Sequence, residues 1–152
     1  MNAVLEPETF REAPEKTGGR ILFVCTGNTC RSPMAEGYLK SIKTKGYEII
    51  SRGLSVDGSP AATHSVNAML EKGIDITGHI SKQMTYEDAE KADVIVCMSA
   101  SHADILESLG IDKLKIFVLG INDPFGGDMN TYRACRDEIF GAIDEFVEDG
   151  IL

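Results

Sequence analysis

The apolar run Ile21 to Val24 breaks off at Cys25-Thr26-Gly27-Asn28-Thr29-Cys30-Arg31-Ser32, and Pro33 then opens a segment with Met34, Tyr38, Leu39 and Ile42 at helical spacing. A short continuous apolar run reads as a strand covered on both faces, and proline suits the first turn of a helix. This strand, loop and helix is the opening unit of a parallel sheet flanked by helices, and short apolar runs continue to alternate with helix-period segments after it.

Tyr47 to Ser51 reads as a second strand, followed by a Gly/Ser/Pro-rich loop to Pro60 and a helix carrying Val66, Met69 and Leu70 that Gly73 ends. A short extended piece is expected near Ile80. Thr85 caps a helix running to Lys91, Asp93 to Met98 is a strand, and Ser101 with Asp104 forms a capping box before Ile105, Leu106 and Leu109. Gly110 closes that helix and Ile116 to Leu119 is the last strand. Asn122 to Asp128 is a Gly-rich loop, and Met129, Tyr132, Cys135, Ile139, Ile143 and Phe146 share one face of a final helix.

Residues 1–19 hold Glu6, Glu8, Glu12 and Glu15 with Pro7 and Pro14 and too few apolar residues to bury anything, so they read as a flexible arm. The remainder, 20–152, has the size of one compact domain that builds a core without disulfides or a structural metal. The formal net charge of −9 argues against nucleic-acid or anionic-membrane partners, so any phosphate site is local. Apolar runs such as Val94 to Met98 fall far short of the ~20 residues of a membrane helix. Met1 to Gly19 has no apolar signal-peptide core, and the chain reads as cytoplasmic. Four cysteines, Cys25, Cys30, Cys97 and Cys135, are too sparse for a secreted disulfide scaffold. Their spacing, without a second pair or spaced histidines, does not suit zinc.

The loop Cys25 to Ser32 carries the chemistry. A loop entering a helix offers free backbone N–H groups in a concave array, and the helix dipole adds positive potential where an anion would sit. Gly27 and Asn28 tolerate the left-handed backbone that such a concavity requires. Arg31 can pair with two phosphate oxygens at once. A thiol on the floor of this loop feels all these groups, which favour the nucleophilic thiolate, and Ser32 could donate a hydrogen bond to it. A nucleotide-type phosphate loop would need a Gly-Lys-Ser/Thr ending that is absent here. The bland alternative is a pair of buried thiols at a strand end.

On these residues the chain resembles the low-molecular-weight protein phosphatase family from Ile21 to about Val147. The resemblance implies a three-layer α/β/α fold with a four-stranded parallel sheet, the cysteine loop at its carboxyl edge, a cysteinyl-phosphate intermediate, and no metal or other cofactor. Ser51-Arg52-Gly53 is similar to the family's Ser-Ala-Gly, and Gly73-Ile74-Asp75 through His79 to its Gly-Ile-Asp segment. By that likeness Ser51 and His79 support Asn28, while His64 and His102 are left as ordinary solvated or core-edge histidines. Asp123-Pro124-Phe125 is similar to the family's Asp-Pro-Tyr, which makes Asp123 general acid and then general base, with Phe125 as a wall of the entrance. Cys30 is implied as an oxidation partner of Cys25, whereas Cys97 and Cys135 read as core. Ser99 departs from the aspartate usual in tyrosine-specific members.

The substrate is read from Thr29. Tyrosine phosphatases of the family generally carry an apolar residue there, whereas the bacterial protein-arginine phosphatase branch has Cys-Thr-Gly-Asn-Thr-Cys-Arg, as in residues 25–31, and Asp-Pro-Phe-Gly-Gly, as in 123–127. The resemblance therefore implies a phosphoarginine phosphatase that contacts its phosphorylated protein or peptide through Thr26, Gly27, Asn28, Thr29, Cys30, Ser32 and Phe125, and that is a monomer or weak dimer. A tyrosine phosphatase is the nearest alternative. Arsenate reduction is a weaker one, because Asp104 stands where a relay thiol would follow Cys97, and a non-catalytic phosphate-sensing module is the third.

Overall fold

A computed structural model describes residues 19–43 and 46–152. Of the acidic arm expected over 1–19, all but Gly19 lies outside the described residues, and Gly19 itself opens the first strand rather than ending the arm.

The elements follow in the order β1 (Gly19–Cys25), α1 (Arg31–Ile42), β2 (Tyr47–Gly53), α2 (Thr63–Leu70), α3 (Tyr86–Lys91), β3 (Val94–Cys97), α4 (Ala100–Ser108), β4 (Ile116–Val118) and α5 (Met129–Glu148). The four strands form one parallel sheet in the order β2-β1-β3-β4. The strand that feeds the cysteine loop is therefore an inner one, with Cys25 opposite Gly53 of β2 and Val24 opposite Cys97 of β3.

Side chains alternate across the sheet. Ile21, Phe23 and Cys25 face a core shared with Met34 and Leu39 of α1, Met69 of α2, and Ile139 and Ile143 of α5. Leu22 and Val24 face the opposite core, built on Ala89 of α3 and Ala103 and Leu106 of α4. This is the three-layer α/β/α arrangement. Phe23, Met34 and Ile139 are fully buried, and each such side chain contributes about 1.5–3 kcal/mol of apolar burial.

The start of α4 differs from the expected one. The helix begins at Ala100 with Ser99 as its cap residue, and Ser99 N–H donates to Nδ1 of His102 at 3.2 Å. Ser101 is already helical and Asp104 is exposed, so they form no capping box. β3 ends at Cys97, and the chain turns into the helix within two residues, too soon for Ser101 to stand outside it. Of Ile105, Leu106 and Leu109 only Leu106 is buried. Thr85 does cap α3, in a reciprocal pair with Asp88.

Candidate active site

β1 ends at Cys25, and the next five residues wrap round a cavity of about 230 Å³ before α1 begins. The carbonyls of this loop are tied outward: Cys25 O accepts from Leu54 N–H, Thr26 O from Ser55 N–H and Thr29 O from Ala62 N–H. Among the described residues no protein acceptor takes the N–H groups of Gly27, Thr29, Cys30 or Ser32. A turn with carbonyls facing out and N–H groups unspent at a helix N-terminus has the electrostatic form of an anion cradle.

The sulfur of Cys25 sits 2.9 Å from Ser32 Oγ and accepts from the N–H of Asn28 at 3.2 Å. Asn28 is the residue that bends the loop. It has φ +57°, the one positive φ on a non-glycine residue among those described, and it is fully buried. Gly27, expected to share that left-handed geometry, does not adopt it. An asparagine tolerates this backbone when its side chain is locally satisfied, and here Nδ2 donates to Ser32 Oγ at 2.8 Å and to Ser51 Oγ at 3.0 Å. Its Oδ1 accepts from Lys82 N–H at 2.9 Å. Nε2 of His79 donates to the Asn28 carbonyl at 2.8 Å, and Ser51 Oγ in turn donates to Glu36 at 2.6 Å. Ser51 and His79 thus both meet Asn28, one at its side chain and one at its backbone. Glu36, which completes this chain, carried no motif in the sequence.

Gly53, at the end of β2, lies directly under the loop. A Cβ there would come within 2.8 Å of the Thr26 carbonyl oxygen and 2.9 Å of Asn28 Cβ, so only glycine permits this approach.

Arg31 is the first residue of α1 and its side chain is buried. Nη1 donates to the carbonyl of Ile121 at 2.9 Å, and Nη2 lies 3.6 Å from Asp123 Oδ2. The Asp123 side chain is half exposed, and its other oxygen accepts from Phe125 N–H at 3.0 Å. Phe125 is 79% exposed, at the rim of the cavity rather than in the core. Thr29 is half-buried and lines both this cavity and a wider groove of about 500 Å³ that runs past Ser55, Asp57 and Pro60.

Cys30 is buried, with Sγ 3.4 Å from the Tyr132 hydroxyl, and all four cysteines are free thiols. Burial pushes Cys97 and Cys135 up to about 12. Cys97 faces the α3/α4 core, across the sheet from Cys25. Among the described residues no group of three or more His, Cys, Asp or Glu could hold a metal ion.

The sequence context of His102 marks only an ordinary histidine, yet it is buried at the carboxyl edge of the sheet. Its Nε2 lies 2.9 Å from Thr26 Oγ1. Burial, then the Arg31 charge, hold its pKa below the usual histidine value, with Asp123 opposing. The available signal was its place in the first turn after a strand parallel to β1, where side chains gather with the cysteine loop. His64 is exposed, edge-on to Tyr132.

The family described as low molecular weight phosphotyrosine protein phosphatase matches residues 20–149. The chain is 42% identical over 140 residues to a protein-arginine-phosphatase of Geobacillus stearothermophilus, covering 85% of this chain and 94% of that one. A solved arginine phosphatase structure from the same organism superposes with a TM-score of 0.80 at 41% identity, over 86% of this chain and 92% of that chain. A solved arginine phosphatase mutant with a phosphorylated active-site serine gives a TM-score of 0.80 at 35% identity, over 86% and 94%. An arsenate reductase of Staphylococcus aureus is 36% identical over 127 residues, covering 83% of this chain and 94% of that one.

Proposed function

The chain belongs to the low molecular weight phosphotyrosine protein phosphatase family, and from that premise we propose that it removes phosphate from phosphoarginine in proteins through a cysteinyl-phosphate intermediate. In the first step Cys25 Sγ bonds to phosphorus as the phosphorus–nitrogen bond breaks. Asp123 delivers a proton to the departing guanidine nitrogen. The loop N–H groups and the Arg31 guanidinium hold the transferring oxygens, which supplies the positioning and charge stabilisation that phosphoryl transfer needs. In the second step Asp123 takes a proton from water, the oxygen bonds to phosphorus, and the sulfur–phosphorus bond breaks, returning Cys25 and orthophosphate.

The observation that carries the substrate class is Thr29, a small polar side chain on the cavity wall of a chain 42% identical to a protein-arginine-phosphatase. Its hydroxyl suits a polar leaving group and a resolving water better than an apolar residue would. The half-exposed Asp123 carboxylate at the same opening offers a charge partner to a guanidinium. Residues 20–152 act as one phosphatase domain in the cytoplasm, on phosphorylated protein or peptide, as a monomer or weak dimer without nucleic acid. The net charge of −9 supports the last point, and no described helix is long and apolar enough to cross a membrane.

Phosphotyrosine hydrolysis is the second reading, favoured by the exposed Phe125 ring at the cavity rim, which could flank a phenyl group. Arsenate reduction is disfavoured because Cys97 faces the layer away from Cys25 and Asp104 offers no thiol. The deciding experiment compares kcat/KM on phosphoarginine and phosphotyrosine peptides of otherwise identical sequence. A clear arginine preference is expected; a tyrosine preference would leave the mechanism standing and overturn the substrate.

A further inference from the structure

His102 has a buried ring with both nitrogens committed. The N–H of Ser99 donates to Nδ1 at 3.2 Å, and the Ser99 hydroxyl lies 3.1 Å from the same atom. An imidazole nitrogen that accepts a backbone N–H carries no proton, so the ring's proton resides on Nε2. That nitrogen then donates to Thr26 Oγ1 at 2.9 Å. The depressed pKa of His102, from burial and the nearby Arg31 charge, agrees with a neutral ring.

The consequence falls on Thr26. A hydroxyl has one proton to give and lone pairs to receive with. The His102 N–H occupies the accepting side, so the Thr26 proton points elsewhere. Thr26 is exposed and lines the same cavity as Cys25 and Arg31. With its accepting side taken by His102, the hydroxyl keeps its proton available to donate to an anion in that cavity.

We propose that His102 is a positioning residue that fixes the Thr26 hydroxyl as a hydrogen-bond donor to the phosphoryl group held in the loop. This rests on the reading of the loop as a phosphoryl site and deepens it. It joins α4 to the loop on the side of the sheet opposite α1, where no other described side chain bonds to a loop side chain. His102 never touches the substrate; it decides which way the Thr26 dipole points.

The test uses inorganic phosphate as probe, titrated calorimetrically into the native protein, Thr26→Val, His102→Phe, His102→Gln and the double variant Thr26→Val/His102→Phe. Loss of one hydrogen bond to the anion is expected to weaken phosphate binding about three- to tenfold in Thr26→Val. His102→Phe should do the same, and the double variant should be no weaker than either single one, because the two residues act as a unit. His102→Gln, whose amide can donate to Thr26, should recover most of the affinity. A histidine that merely packs and caps α4 would lower Tm but would leave phosphate affinity intact, or would add to the Thr26→Val loss. Either result overturns the inference. If His102→Phe does not fold, unchanged phosphate affinity in Thr26→Val overturns it alone. Absence of phosphate binding by the native protein would remove the reading of the loop and the inference together.

Discussion

Arg31 and Asp123 face each other across the cavity mouth at 3.6 Å, while the second arm of the same guanidinium holds the carbonyl of Ile121. The segment that carries Asp123 is thereby tied to the first turn of α1, so the guanidinium proposed to clamp phosphate would also aim the proposed acid. The carboxylate stays half exposed, so solvent screens the pair and leaves Asp123 able to swing toward a leaving group.

Asp123→Asn is expected to lower kcat by roughly 10²- to 10⁴-fold on poor leaving groups. Aryl phosphates with good leaving groups should lose far less, since they depart without a proton. A leaving-group series measured on both proteins checks this, and equal losses across the series would exclude Asp123 as the acid.

Cys25→Ser should abolish turnover and retain phosphate binding. Serine keeps the hydrogen-bonding position beside Ser32 and the Asn28 N–H but is a much weaker nucleophile. Calorimetry with phosphate beside a steady-state assay separates the two effects.

Thr29→Ile should move the ratio of kcat/KM for phosphoarginine over phosphotyrosine toward phosphotyrosine by at least about tenfold, the scale on which pocket polarity discriminates substrates. The peptide pair that tests the substrate class reads this ratio directly. A ratio that does not move would take Thr29 out of selection.

Asn28→Ala removes three side-chain hydrogen bonds from a buried site and leaves a Cβ residue at positive φ. A loss of about 2–4 kcal/mol in unfolding free energy is expected. Asn28→Gly should recover about 1 kcal/mol of it by relieving the backbone. Denaturant unfolding of the two variants side by side resolves the backbone share from the hydrogen-bond share.

His102 gives stability a pH dependence of definite sign. The folded ring resists protonation, so the unfolded chain binds the extra proton once pH falls below the usual histidine value of ~6.5. Its contribution is fully present above that value and is lost as pH falls toward the folded group's own pKa. Unfolding free energy measured from pH 8 to pH 5 should decline, and His102→Phe should lessen the decline.

The parts of the fold that could be read from the sequence are those dictated by local pattern. Ile21 to Val24, Thr85 at its cap and the apolar face of α5 each declare themselves within one turn or one strand, and the loop from Cys25 to Pro33 carries enough unusual residues to mark its own chemistry. What stayed hidden depends on contacts distant in the chain. Glu36 meets Ser51, and His102 meets Thr26, only because a parallel sheet brings its carboxyl ends together. The cap at Ser99 is hidden in the sequence because Ser101 and Asp104 make the better local capping pattern. The abrupt end of β3 and the burial of His102 decided otherwise. Gly27 and Asn28 are equally able to turn left-handed, and the hydrogen bonds that the Asn28 side chain donates to Ser51 and accepts from Lys82 favour Asn28.

The alternation along β1 makes Cys25 a matter of counting. Inserting or deleting a single residue between Ile21 and Cys25 would reverse the parity of the strand and carry the sulfur to the layer of α3 and α4, leaving Arg31 and Asp123 on the far side. A change of two would restore the face but slide the loop one rung past Gly53. This segment can therefore exchange one apolar side chain for another of similar volume, yet it has almost no freedom in length: the reaction is indexed to the strand as a tooth is to a gear.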